Sequence, residues 1–131
     1  MRSQQAYEWN GLAMANDESI LNSVKKSLGI EASYTVFDPD IIMHINSTFA
    51  VLHQLGVGPD IQFQIEDDSA VWEDFLSGRN ELAMVKSYVF LKTRMLFDPP
   101  QGSVLDIFKE QAAEYEWRMN VEVETPAVSN E

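Results

Sequence analysis

The sequence predicts a mainly α fold, a small helical bundle of about five helices, with a short extended or β segment near residues 60–65 and a C-terminal extended segment. Three observations predict it. Apolar residues recur at helical spacing through several long stretches. Start and stop residues punctuate those stretches, at Asp38-Pro39, Gly56, Asp98-Pro99-Pro100 and Ser103. The 131 residues, 45% hydrophobic and 23% charged, suit one packed core rather than two cores or a disordered chain.

Along the chain this divides into an N-terminal arm at 1–16, a helical domain at 17–119 and an extended tail at 120–131. The arm mixes Gln, Asn and Gly with Tyr7 and Trp9 and shows no sustained period, and Met14 offers a second natural start. A first helix is expected from Asp17 to Leu28, with Asn16 or Asp17 as N-cap, Lys25 and Lys26 near its end and Gly29 as its stop. Ile20, Leu21, Val24 and Leu28 share one face.

Asp38-Pro39 opens the second helix, because the carboxylate can cap free N–H groups and Pro is tolerated at a first helical position. Ile41, Ile45, Thr48, Phe49, Leu52 and Leu55 then hold one stripe as far as Gly56. Ile61, Phe63 and Ile65 alternate with polar residues, the pattern of a short strand or extended edge. Glu66-Asp67-Asp68-Ser69 supplies caps for a short helix carrying Val71, Trp72, Phe75 and Leu76, closed by Gly78.

The stretch from Asn80 to Phe97 is apolar over more than half its circumference, with Leu82, Val85, Val89 and Leu96 on one stripe flanked by Met84, Tyr88, Leu91 and Met95. Such a helix needs neighbours on two sides. Phe90 and Phe97 fall on the remaining face beside Lys86 and Thr93, an unusual position in a monomer. Ser103 caps a last helix to Met119, with Val104, Phe108, Ala112, Tyr115 and Met119 toward the core and Trp117 pointing away. Asn120-Val-Glu-Val-Glu124 alternates like a strand that lacks a partner in its own chain.

Chemistry is excluded more readily than it is found. With Cys absent, disulfides, thiolate metal sites and Cys nucleophiles are all ruled out. His44 and His53 are nine apart on one helix, whereas helical metal pairs need i,i+3 or i,i+4 spacing. Asp38, Asp40, Asp67 and Asp68 read as helix-start residues rather than a catalytic or cation-binding set. No nucleotide loop, zinc-protease motif or nucleophile elbow is present. No catalytic, metal or cofactor-binding residue is therefore assigned. Lys plus Arg 9 against Asp plus Glu 21 gives a net charge of −12, which disfavours adhesion to nucleic acid or an anionic membrane. No apolar run is long enough to span a bilayer.

The run Met84-Val-Lys-Ser-Tyr-Val-Phe-Leu-Lys-Thr-Arg-Met-Leu-Phe-Asp-Pro-Pro100, followed by Phe108-Lys-Glu-Gln-Ala-Ala-Glu-Tyr-Glu-Trp117-Arg-Met, resembles the head-tail connector (adaptor) family of long-tailed bacteriophages. Ser19 to Gly29 and Phe37 to Asn46 resemble the same group, so the likeness runs collinearly over residues 17–121. The resemblance implies a structural virion protein, not an enzyme, with no cofactor. It implies a homo-oligomeric ring, expected as a dodecamer, that sits under the portal protein, extends the DNA channel and docks a stopper or other neck or tail protein. Double-stranded DNA would pass through without specific binding, and no membrane is involved. The expected location is the virion neck, after synthesis in the host cytoplasm. In the family a terminal segment contacts the portal, which maps onto Asn120, Val121, Glu122, Val123 and Glu124 and the tail beyond them.

The residues themselves agree with an assembly. Lys86, Phe90, Arg94, Phe97 and Trp117 are the candidate subunit interface, being aromatic or cationic and off the core stripes. Roughly twelve such subunits would carry about −144 in charge, which repels phosphates and keeps DNA from adhering as it slides. The alternative reading is a small acidic binding module, a DNA mimic or an inhibitor of a basic host protein.

Overall fold

A computed structural model describes residues 15–79 and 84–124. Among these residues five α-helices follow a 3-10 turn at Ala15–Asp17: α1 Ile20–Ser27, α2 Asp38–Gln54, α3 Trp72–Leu76, α4 Met84–Phe97 and α5 Ser103–Glu124. The tail 125–131, most of the arm and the expected start of α4 at 80–83 lie outside the described residues.

Helix α1 begins later than its sequence suggests. Ser19, not Asn16 or Asp17, is the N-cap, its Oγ accepting from the N–H of Asn22 at 3.2 Å. The reason is tertiary: Ser19 forms an isolated antiparallel bridge with Val71, through Ile20 N–H to Ala70 O at 2.9 Å and Trp72 N–H to Glu18 O at 3.2 Å. Residues 18 and 19 are thereby held extended and cannot join the helix. Its end is as expected. Gly29 takes φ +80°, while Ile30 N–H reaches Lys25 O and Gly29 N–H reaches Lys26 O, closing the last turn.

Lys25, near the end of α1 as expected, is fully buried. Its Nζ lies 2.8 Å from Asp38 Oδ1 and donates to Ala32 O at 3.0 Å, tying the end of α1 to the start of α2 across the link between them. This also corrects the capping role given to Asp38. Phe37 occupies the N-cap position of α2 without a side-chain bond, and the Asp38 carboxylate turns to Lys25 instead. Beyond that, α2 follows its pattern: Ile41, Ile45, Thr48, Phe49 and Leu52 are buried. Gly56 ends it through Val57 N–H to Leu52 O and Gly56 N–H to His53 O.

The segment 61–65 takes no regular secondary structure, and among the described residues no strand forms. Ile65 is buried and its backbone is paired by a side chain, with Asn46 Oδ1 accepting its N–H at 2.8 Å and Asn46 Nδ2 donating to its C=O at 2.9 Å. Phe63 packs edge-on against Phe49 and Phe75, which stack on each other at 4.9 Å. Ile61 is left in solvent. The short helix also starts later than expected. Val71 precedes it, Asp74 Oδ2 accepts the Val71 N–H at 2.9 Å, and Asp67 caps Ser69 in a separate turn. Residues 66–69 are therefore not its cap.

Helix α4 runs along α2 and α5 runs along α4, with α1 against α2 and α4. On α4 the buried residues are Val85, Tyr88, Val89 and Thr93. Thr93, assigned to the outer face from sequence, is wholly inside, whereas Leu96 emerges at the end of the helix where its neighbours stop. Ala112 and Met119 are the buried residues of α5, and Val104, expected in the core, is exposed. Trp72 sits at the centre, its Nε1 donating to Ser23 Oγ at 2.9 Å while Ser23 Oγ donates to Ile20 O at 3.0 Å.

The C-terminal extended segment is not extended as far as Glu124. Helix α5 continues through Asn120, Val121, Glu122, Val123 and Glu124. Met119 is buried and Val123, four residues on, covers the turn after α2 so closely that a Cβ on Gly56 would lie 3.2 Å from its Cγ1. Asn120 Nδ2 reaches Leu55 O at 3.5 Å on the same side. One packed helical face outweighs the few tenths of a kcal/mol by which valine disfavours a helix.

Candidate functional site

Beside α1 a depression gathers Glu18, Lys26 and Glu31, and a groove lined by Phe90 and Phe108 holds Arg94 as its charged residue. His44 is half-buried with its ring 6.4 Å from that of Phe97, and His53 is exposed near the other end of the helix. Asp67 accepts from both the N–H and the hydroxyl of Ser69, which holds its carboxyl below the usual range in an exposed turn. Among the described residues no group of three or more His, Cys, Asp or Glu could hold a metal ion. No helix among them is long and apolar enough to cross a membrane.

The face of α4 bearing Lys86, Phe90, Arg94 and Phe97 is partly covered within the chain. Phe90 meets Trp72 edge-on at 5.9 Å, and Lys86 Nζ lies 5.9 Å from the centre of the Trp72 ring. Burial lowers the Lys86 ammonium, with the charge of Glu18 opposing. Phe97 meets Phe37 edge-on at 5.4 Å, and Phe37 in turn meets Tyr34 at 5.8 Å. Both phenylalanines on this face therefore have contacts within their own chain. The link at 31–37 and the short helix α3 supply rings that helical periodicity does not register. Arg94 bonds within its own turn, Nε donating to Asp98 O at 2.6 Å, and its side chain is 40% exposed.

Trp117 stands apart from this group. It is 67% exposed on the far side of α5, one turn from Val121 and on the same half of the helix as Ile107, both also exposed. Asp106, Glu110 and Glu114 lie on that half, and Arg118 at its edge is occupied by Glu114 at 2.6 Å. The predicted interface residues thus fall on two separate faces, with Lys86, Phe90, Arg94 and Phe97 on α4 and Trp117 alone on the outside of α5.

Sequence reasoning missed a groove between α1, α4 and α5. It measures about 310 Å³ and is lined by Ser27, Ser87, Phe90, Leu91, Arg94 and Phe108. A second depression beside α1, of about 460 Å³, runs past Glu18, Asn22, Lys26 and Glu31. The available signal was Phe108, a large side chain on the α5 stripe opposite a small residue, Ser87, on α4. The Trp117-Val121 pair, one turn apart, is also legible at helical spacing, although only Trp117 stands out from sequence.

Residues 20–126 match the sequence model of a family described as phage connector protein. No curated protein and no solved structure gives a significant match.

Proposed function

Since the chain belongs to the phage connector protein family, a structural component of the virion neck, we propose that it assembles as a homo-oligomeric ring beneath the portal protein. The ring extends the DNA channel and offers its distal side to a stopper or other neck or tail protein. The observation that carries this reading is the extent of the match, from the first residue of α1 to beyond the last described residue of α5. The whole helical unit, not one motif, is what the family shares.

The surface chemistry supports it. A net charge of −12 per chain, repeated around a closed ring, gives a channel wall from which phosphates are repelled, so DNA slides without a binding step. The α4 residues Lys86, Phe90, Arg94 and Phe97 and the α5 residue Trp117 are the subunit contacts in this reading. Helix α5 ends in Asn120, Val121, Glu122, Val123 and Glu124, and this last helical turn with the tail that follows is the portal attachment. It acts as a helix end presenting exposed Val121, Glu122 and Glu124, rather than as an added strand.

Purified protein mixed with portal rings and imaged by electron microscopy tests the reading. A second ring stacked on the portal is expected, twelve-fold if the subunit number matches. A chain ending at Met119 is expected to keep its helical circular dichroism and lose portal attachment. Folded protein that never joins a portal would overturn the proposal, and undiminished attachment by the shortened chain would overturn the role of 120–131.

A further inference from the structure

Phe108 and Trp117 are nine residues apart on α5, and at about 100° per residue that places them on opposite sides of the helix, about 180° apart. Phe108 forms part of the wall of the groove between α1, α4 and α5. Trp117 therefore points directly away from the groove and cannot enter the one in its own chain. A large exposed aromatic ring on one side and an apolar recess on the other are the two halves of a contact that only a second copy can complete.

We propose that Trp117 of one subunit seats in the groove of the next, against Phe90, Leu91 and Phe108, with Arg94 at its rim. This inference rests on the ring reading above and specifies which two faces meet. The two faces are also complementary in charge. Arg94 is the charged residue among those lining the groove, whereas the Trp117 side of α5 carries Asp106, Glu110 and Glu114 against Lys109. Arg94 makes its bonds to Asp98 through Nε, so the guanidinium edge can meet a carboxylate or the indole face of the incoming subunit.

The contact is heterologous, since the donating and receiving surfaces differ. Contacts of that kind close into rings when the rotation per subunit divides a full turn, and an isologous pair would stop at a dimer. A buried Trp beside an Arg is also the composition that carries most of the energy in protein interfaces.

The absence of cysteine makes the pairing directly testable. Ala113 is exposed one turn before Trp117, and Ser87 is exposed on the groove wall, so Ala113→Cys and Ser87→Cys mark the two faces without touching the core. The two single variants are mixed, free at high concentration and on portal rings, and treated with a short bismaleimide. The expected product is the mixed link, joining position 113 of one chain to position 87 of another, roughly tenfold over either like pair. Adding Trp117→Ala to the Ala113→Cys chain should cut it by a similar factor. Rings seen by native mass spectrometry that yield only like pairs, or no link, would refute this pairing and leave the ring reading standing. Folded subunits that form no ring, free or on the portal, and yield no mixed link would refute both.

Discussion

Asn46 holds both backbone groups of Ile65, its Oδ1 accepting the N–H at 2.8 Å and its Nδ2 donating to the C=O at 2.9 Å. A side-chain amide on α2 thus does for the Ile65 backbone what a neighbouring strand would do, and lets Ile65 lie buried beside a helix. Asn46→Ala should destabilise the fold by about 1–3 kcal/mol, because two buried backbone groups lose their partners. Asn46→Asp should be no better, since a carboxylate cannot donate to the Ile65 carbonyl. Urea unfolding followed by circular dichroism gives both values.

The ion pair of Lys25 and Asp38 is asymmetric, with side chains 1% and 21% exposed. Asp38→Asn leaves the buried ammonium with neutral acceptors alone, the amide oxygen and Ala32 O, and no counter-charge, and should cost about 3–5 kcal/mol. Lys25→Met keeps the apolar stem and leaves a carboxylate that water can reach, so its cost should be smaller, and the double variant should be milder than Asp38→Asn alone. A double-mutant cycle in urea measures the coupling.

Tyr88 is buried and donates to Glu116 Oε2 at 2.6 Å. Burial first, then the bond and charge of Glu116, push the phenol well above its ordinary value. A raised folded-state value favours folding with the proton on, so this stability is complete below about pH 10 and is lost as pH rises beyond it. Tyr88→Phe should cost about 1.5–3 kcal/mol at neutral pH. The gap between it and the parent should narrow above about pH 10 in thermal melts.

Gly58 adopts φ +104°, and a Cβ there would fall 2.5 Å from Phe75 Cζ. Gly58→Ala should cost about 2–4 kcal/mol, combining left-handed strain with displacement of a core ring. Gly29 has a similar φ of +80° but open space around the missing Cβ, so Gly29→Ala should cost only about 1–2 kcal/mol. A difference of that sign between the two melting temperatures separates packing from backbone strain.

Thr93 Oγ1 is buried with no hydrogen-bond partner among the described residues. Thr93→Val keeps the shape and removes the unpaired hydroxyl, so it should stabilise the fold, by about 1 kcal/mol. A higher melting temperature is the expected readout, and a lower one would mean the hydroxyl has a partner.

Much of the fold is legible in the sequence. The body of α2, its end at Gly56, the stop of α1 at Gly29 and the end of α4 before Pro99 all stand where local pattern puts them. These depend on residues within a turn of one another, where caps, proline and periodicity act. The Glu114–Arg118 pair follows for the same reason. Of the candidate site, the exposure of Trp117 is legible because its angle on α5 follows from spacing alone.

What the sequence could not determine depended on partners far along the chain. Ser19 caps α1 because Val71 pairs with it, and Ile65 is buried without a partner strand because Asn46 holds its backbone. Asn120 to Glu124 stays helical because Met119 and Val123 find the turn after α2, although the alternating valines favour a strand. The same limit explains the covered phenylalanines, since Phe90 and Phe97 meet Trp72 and Phe37 from elements that a single helical wheel does not contain. The sequence by itself determined where helices form and that one aromatic residue stays outside. Only the tertiary structure decided which faces are covered and where the receiving groove lies, because burial depends on what packs across the helix, whereas periodicity records only what lies along it.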